Sequence, residues 1–153
     1  MINIQIDTPY QTQVSPNLIE KAAQTALRHQ NAPTQAELTI VITDNQQLQE
    51  LNLQYLGIDA PTDVLSFPSE DEIDPETGNP YLGDILISLP RASEQAAESN
   101  TTLEDEIQLL VVHGVLHLLG HDHAEPADKE AMWAAQTAIL LQLGCQIRPL
   151  PES

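Results

Sequence analysis

Positive charge is what this chain has least of. Only Lys21, Arg28, Arg91, Lys129 and Arg148 are basic, against 23 aspartates and glutamates, for a formal net charge of −18. A protein that grips a phosphate backbone unaided usually shows a basic stripe, and none is visible here. A polyanion could be held only through a bound metal, one or two local cations, or a partner. Cysteine is almost absent as well. Cys145 stands alone, which excludes an intrachain disulfide and fits a reducing compartment. Long apolar runs are missing: the most apolar stretch, 107–119, is too short to span a bilayer and carries two histidines. The first residues, Met1-Ile2-Asn3-Ile4-Gln5-Ile6-Asp7, alternate apolar and polar and lack a signal-peptide pattern. The expectation is a soluble cytoplasmic protein without membrane contact. No repeat or linker interrupts the chain, and its length suits one domain with a real core over 1–153, with 147–153 as a loose tail.

Histidine, by contrast, is concentrated. Four of the five fall between His113 and His123. His113 and His117 are four apart on an apolar stretch that reads as a helix, so both imidazoles lie on one face. Gly120 offers a left-handed helix end, after which the turn can bring His123 back to the same point. Three neutral imidazoles with room for water make the usual catalytic zinc site, one ion per chain. His121, directly after the glycine, reads instead as an exposed loop residue. Asp122 is either an orienting partner for a ligand imidazole or a solvated turn residue. The spacing H-x-x-x-H-x-x-G-x-x-H is that of the metzincin proteases, but their general-base glutamate is here Gly114. A zinc site of protease shape without the protease base, and without a recognisable peptide-binding edge, suggests other chemistry.

Periodicity organises the rest. Residues 2–7 alternate as a strand. Ser15-Pro16 opens a helix to about His29, with Leu18, Ile19, Ala22, Ala23, Ala26 and Leu27 inward. Glu37–Thr43 is a β-branched strand. Asp44, with Gln47 three residues later, caps a helix carrying Leu48, Leu51 and Leu56. Thr62–Phe67 reads as a strand stopped by Pro68, and Leu82–Ser88 as another. The acidic segment between them, Ser69–Pro80, reads as an exposed loop; a calcium loop is the sharper alternative, but the spacing does not match the EF-hand pattern. A short helix follows over Pro90–Ser99. Thr101 or Thr102 then caps the histidine helix, whose first turn holds Glu104, Asp105 and Glu106. A last helix runs from Pro126 to Gly144. The order β-α-β-α-β-β-α-α-α predicts an α+β fold: one mixed, roughly four-stranded sheet packed with helices, the zinc-binding helix at its centre.

Three blocks together resemble one family. Pro61-Thr62-Asp63-Val64-Leu65-Ser66-Phe67-Pro68, then Leu82-Gly83-Asp84-Ile85, then the histidine block ending Gly-His-Asp-His are similar to the YbeY family of bacterial metal-dependent endoribonucleases, also called ribosomal-RNA maturation factors. The resemblance implies an endonuclease of single-stranded RNA acting in small-subunit ribosomal RNA maturation and ribosome quality control. It implies zinc on His113, His117 and His123, and a cleft beside the metal lined from the Thr62–Phe67 strand. It also implies a ribosomal RNA precursor as substrate and the ribosome or a small-subunit ribosomal protein as partner.

This chain departs from the family at one functional point. An arginine commonly follows the aromatic residue of the second helix, and a basic residue commonly precedes the proline of the Pro-Thr-Asp block. Here those positions are Leu56 and Ala60. A cation there would hold phosphate or stabilise the transition state, so this chain either does without it or uses Arg91 or a partner. Asp63 and Ser66, with Asp84, are further candidates near the metal; turn, strand-surface and helix-cap roles are their ordinary alternatives. The rival functions are another zinc hydrolase, or a zinc-binding ribosome-assembly factor with little intrinsic nuclease activity.

Overall fold

The computed structural model describes residues 1–60, 62–69, 73–122 and 124–145. Strand β1 (Ile2–Ile6) is followed by a single 3-10 turn, helix α1 (Pro16–His29), strand β2 (Glu37–Thr43) and helix α2 (Asn45–Leu56). Strands β3 (Val64–Pro68) and β4 (Tyr81–Ser88) come next, then helices α3 (Leu89–Ser99), α4 (Leu103–Leu118) and α5 (Pro126–Leu143). The expected α+β order is the observed one. Among the described residues no helix is long and apolar enough to cross a membrane.

The helix ends follow from side-chain chemistry. Asp44 accepts a hydrogen bond from the Gln47 amide at 2.8 Å and starts α2. Of the two threonines that could cap α4, Thr102 does so, accepting from the Asp105 amide at 3.1 Å. Each cap satisfies an amide that has no partner within its helix.

The sheet has the order β1-β2-β4-β3. β1, β2 and β4 run parallel, with Ile4 opposite Ile40 and Ile40 opposite Ile85. β3 is antiparallel to β4, with Ser66 opposite Ile85 and Phe67 opposite Asp84. Strand alternation sends Leu38, Ile40, Ile42, Ile85 and Ile87 to one face, all fully buried with α1, α4 and α5. α2 lies against the other face, where Ser88 Oγ donates to Asn45 Oδ1 and Tyr55 meets Phe67. Helices therefore cover both faces, and α4 is central: it packs on α1, α3, α5, β3 and β4.

Burial departs from the helical pattern in a few places. Leu18 and Leu27 are only half-buried, Leu56 is exposed, and Trp133 turns outward from α5 while Met132, Ile139 and Leu140 turn inward. In the acidic segment, Glu70, Asp71 and Glu72 lie outside the described residues. Asp74 serves a turn: its carboxylate accepts from the Glu76 amide at 2.8 Å, which holds its pKa below the usual aspartate value. The tail 147–153 also lies outside the described residues.

Candidate metal centre

α4 presents His113 and His117 one turn apart, near its C-terminal end. His113 is completely buried and His117 half-buried. Their Nε2 atoms face each other at 3.1 Å, with ring centroids 4.6 Å apart and planes at 79°. Two ligands about 2.0–2.1 Å from one tetrahedral ion would stand roughly 3.3 Å apart. The pair thus already has the separation of two ligands sharing an ion. On the far side of His113, Nδ1 lies 3.3 Å from Gln136 Oε1 of α5. An amide oxygen only accepts, so in this contact the imidazole proton sits on Nδ1, with Nε2 turned toward His117. The donor set fits zinc.

After α4 the chain turns through Gly120, whose φ of +98° lies in the left-handed region. His121 then points back toward α1, with Nε2 2.8 Å from Oε1 of Gln30, the residue that ends α1. Asp122 is exposed. His123, expected to complete the ligand set, lies outside the described residues. Among those that are described, no three His, Cys, Asp or Glu side chains gather as a metal cluster.

Gly114 has a steric reason to be glycine. A Cβ there would come within 2.7 Å of Ile85 Cγ2. The place where a protease of this spacing carries its base is filled by the sheet. Ser66 comes from β3 on the same side, its Oγ donating to the Gly114 carbonyl at 3.4 Å, a long hydrogen bond. Asp63 is buried at the start of β3, and its carbonyl accepts from the Ser88 amide at 3.0 Å. Ser66 therefore belongs to the wall beside the histidines, while Asp63 lies beside Ser88, three positions before Ser66. Arg91 does not join them by any described contact. It sits in the first turn of α3, beyond the end of β4, and pairs with Glu94 at 3.0 Å. Asp84 is a strand residue rather than a helix cap. It faces away from α4 and accepts from Tyr81 Oη, whose pKa is raised by burial and then by Asp84.

The sequence shows no peptide-binding edge, yet β3 is an edge strand of the sheet and packs against α4. Its place became visible only with the strand order, because sequence alternation does not say which neighbours a strand has. Gly114, backed by Ile85, leaves no room for a peptidase base on α4. Cys145 is a poor substitute for any missing group. Its thiol donates to Gln108 Oε1 at 3.0 Å, and burial pushes its pKa up to about 11, so it is protonated at neutral pH.

Sequence reading missed Gln136 and Gln30. For Gln136 a signal existed: it falls four residues after Met132 and three before Ile139, on the buried stripe of α5, where a polar side chain needs a partner. For Gln30, at the end of α1, no local signal exists.

Comparison with known proteins places this geometry in context. Residues 1–144 match the family model described as Endoribonuclease YbeY. The chain is 45% identical over 148 residues to the Endoribonuclease YbeY of Roseiflexus sp. (strain RS-1), covering 94% of this chain and 92% of that one. It is 40% identical over 157 residues to the protein of the same name from Geobacillus thermodenitrificans, covering 94% and 98%. Its fold is similar to the solution structure of TM1509 from Thermotoga maritima, with a TM-score of 0.64 and 29% identity, over 94% of this chain and 89% of that one.

Proposed function

We propose, since the chain belongs to the endoribonuclease YbeY family, that it is a cytoplasmic, zinc-dependent endonuclease of single-stranded RNA, working in small-subunit ribosomal RNA maturation and quality control. The observation that carries this reading is the pair of Nε2 atoms 3.1 Å apart, with His113 oriented from behind by Gln136. His113, His117 and His123 would hold the ion. Held there by three imidazoles, zinc would supply a Lewis acid for a phosphoryl oxygen and would lower the pKa of water toward neutrality. The protein's own part is positional. Buried α4 fixes the imidazoles, Gln136 holds the Nδ1 proton of His113, and Ile85 fills the space a carboxylate base would need. Ser66, through the Gly114 carbonyl, bounds one side of the centre.

Purified protein should cleave an unstructured oligoribonucleotide, lose this activity with a chelator, and regain it with stoichiometric zinc. Absence of cleavage by the zinc-loaded protein would overturn the reading. The ligand set has its own test. His121→Ala should keep about one metal per chain, since His121 is engaged with Gln30, while His123→Ala should lose most of it. Equal metal loss in both, by elemental analysis, would mean the third ligand is misassigned.

A second reading, a ribosome-assembly factor with little nuclease activity of its own, is favoured by one observation. Leu56 stands 57% exposed where the family commonly has arginine. RNA affinity should accordingly be weak, with a shallow salt dependence, because few phosphate contacts release few counterions. Leu56→Arg should raise affinity or cleavage several-fold at unchanged metal content. Tight wild-type binding with a steep salt slope would show a basic face that the sequence does not reveal.

A further inference from the structure

We infer that Tyr55 and Phe67 form a stacking platform for an unpaired RNA base, which makes them positioning residues that hold the strand where cations are missing. This rests on the endonuclease reading and supplies its mode of binding. The chain has only five aromatic residues of the Phe, Trp and Tyr type. Two of them meet at the surface: the Tyr55 and Phe67 rings are 5.3 Å apart and tilted by 58°. Tyr55, in the last turn of α2, is 61% exposed, so its ring is available to a further partner. Leu53, Leu56 and Ile58 are exposed on the same stretch, which makes it an apolar surface in a strongly acidic chain.

The platform and the metal centre lie on opposite faces of the sheet and are linked through β3. Phe67 follows Ser66, Ser66 Oγ reaches the Gly114 carbonyl, and Gly114 follows His113. Successive strand residues point to opposite faces, so Phe67 faces away from α4. β3 is nevertheless an edge strand, and a single nucleic-acid strand can pass around it from one face to the other. Base stacking suits this protein physically. It draws on the π-face of any base, needs no positive charge and tolerates any sequence. An acidic nuclease that cannot hold phosphates can still hold bases.

The plain alternative is that the pair only pins α2 to β3. Tyr55→Leu separates the two roles, because leucine keeps an apolar anchor and removes the ring; Tyr55→Phe keeps the ring. The measurements are KM and kcat on a single-stranded oligoribonucleotide with the zinc-loaded protein, Kd by fluorescence anisotropy, and the thermal midpoint. Tyr55→Leu should raise KM and Kd about tenfold, within the range of base–aromatic stacking, with kcat and the midpoint unchanged. Tyr55→Phe should behave as wild type. Wild-type KM and Kd in Tyr55→Leu would overturn the inference, as would a loss of binding that merely follows a fall in the midpoint. The two readings fail separately. No cleavage by wild type, with binding still dependent on the Tyr55 ring, overturns the nuclease and leaves the platform. Cleavage indifferent to Tyr55 does the reverse.

Discussion

His117→Ala is expected to empty the metal centre and cut RNA cleavage by roughly three orders of magnitude, while the protein stays folded. His117 supplies one Nε2 of the pair and is only half-buried, so its loss exposes little core. Losing the ion removes several kcal/mol of charge stabilisation in the transition state, and each ~1.4 kcal/mol is tenfold in rate. His113→Ala should lose the metal equally but behave differently in stability. His113 is fully buried, and its removal leaves a cavity and deprives Gln136 of its contact, at a cost of about 2–4 kcal/mol. Elemental analysis, cleavage rate and urea midpoint on both variants make the comparison. A His117→Ala protein that retains one metal per chain would remove His117 from the ligand set.

Gly114→Glu is expected to damage the fold rather than create a peptidase. Its Cβ alone would meet Ile85 Cγ2 at 2.7 Å, and overpacking of this kind costs about 1–3 kcal/mol. Replacing a helical glycine returns up to about 1 kcal/mol of propensity. A carboxylate in this buried stretch adds a desolvation penalty, so the net loss should be about 3 kcal/mol or more. Gly114→Ala isolates the steric part, and pairing it with Ile85→Ala should recover some of that loss by making room. The checks are urea midpoints for all five proteins, Ile85→Ala alone included, and a peptidase assay on an unstructured substrate. A Gly114→Glu protein as stable as wild type would show that Ile85 yields, and that the glycine has another cause.

Much of this fold could be read before any coordinates, where local chemistry decides the outcome. Proline after Ser15 at α1, the Asp44 cap of α2, the β-branched run of β2 and the acidic first turn of α4 each specify an element from within. The histidine spacing likewise placed two imidazoles on one helical face. The rest depends on neighbours distant in sequence. Nothing within Val64–Pro68 says that it becomes an antiparallel edge strand. Nothing in Gln30 announces a contact 91 residues away. Trp133 turns outward because Met132, Ile139 and Leu140 already fill the inner side of α5. Gly114 was legible as a missing base, but its steric cause required Ile85, 29 positions earlier in the chain.

The two ends of the sheet have a further consequence, for how the protein behaves in a crowd. Among the described residues, β1 and β3 are its outer strands, each paired on one side only within the order β1-β2-β4-β3. Such strands are templates for pairing with another copy, and proteins commonly blunt them with charge or proline. β3 has a proline at its last position, Pro68; β1 alternates half-buried isoleucines with exposed Asn3 and Gln5 and carries no charged residue. Local protection is therefore thin, and the mutual repulsion of molecules bearing −18 must do much of that task over distance. The scarcity of lysine and arginine that weakens the hold on RNA is, for two meeting copies of this chain, a colloidal barrier. It would fade in acid, as carboxylates take up protons, and in concentrated salt, as the repulsion is screened within a few ångströms.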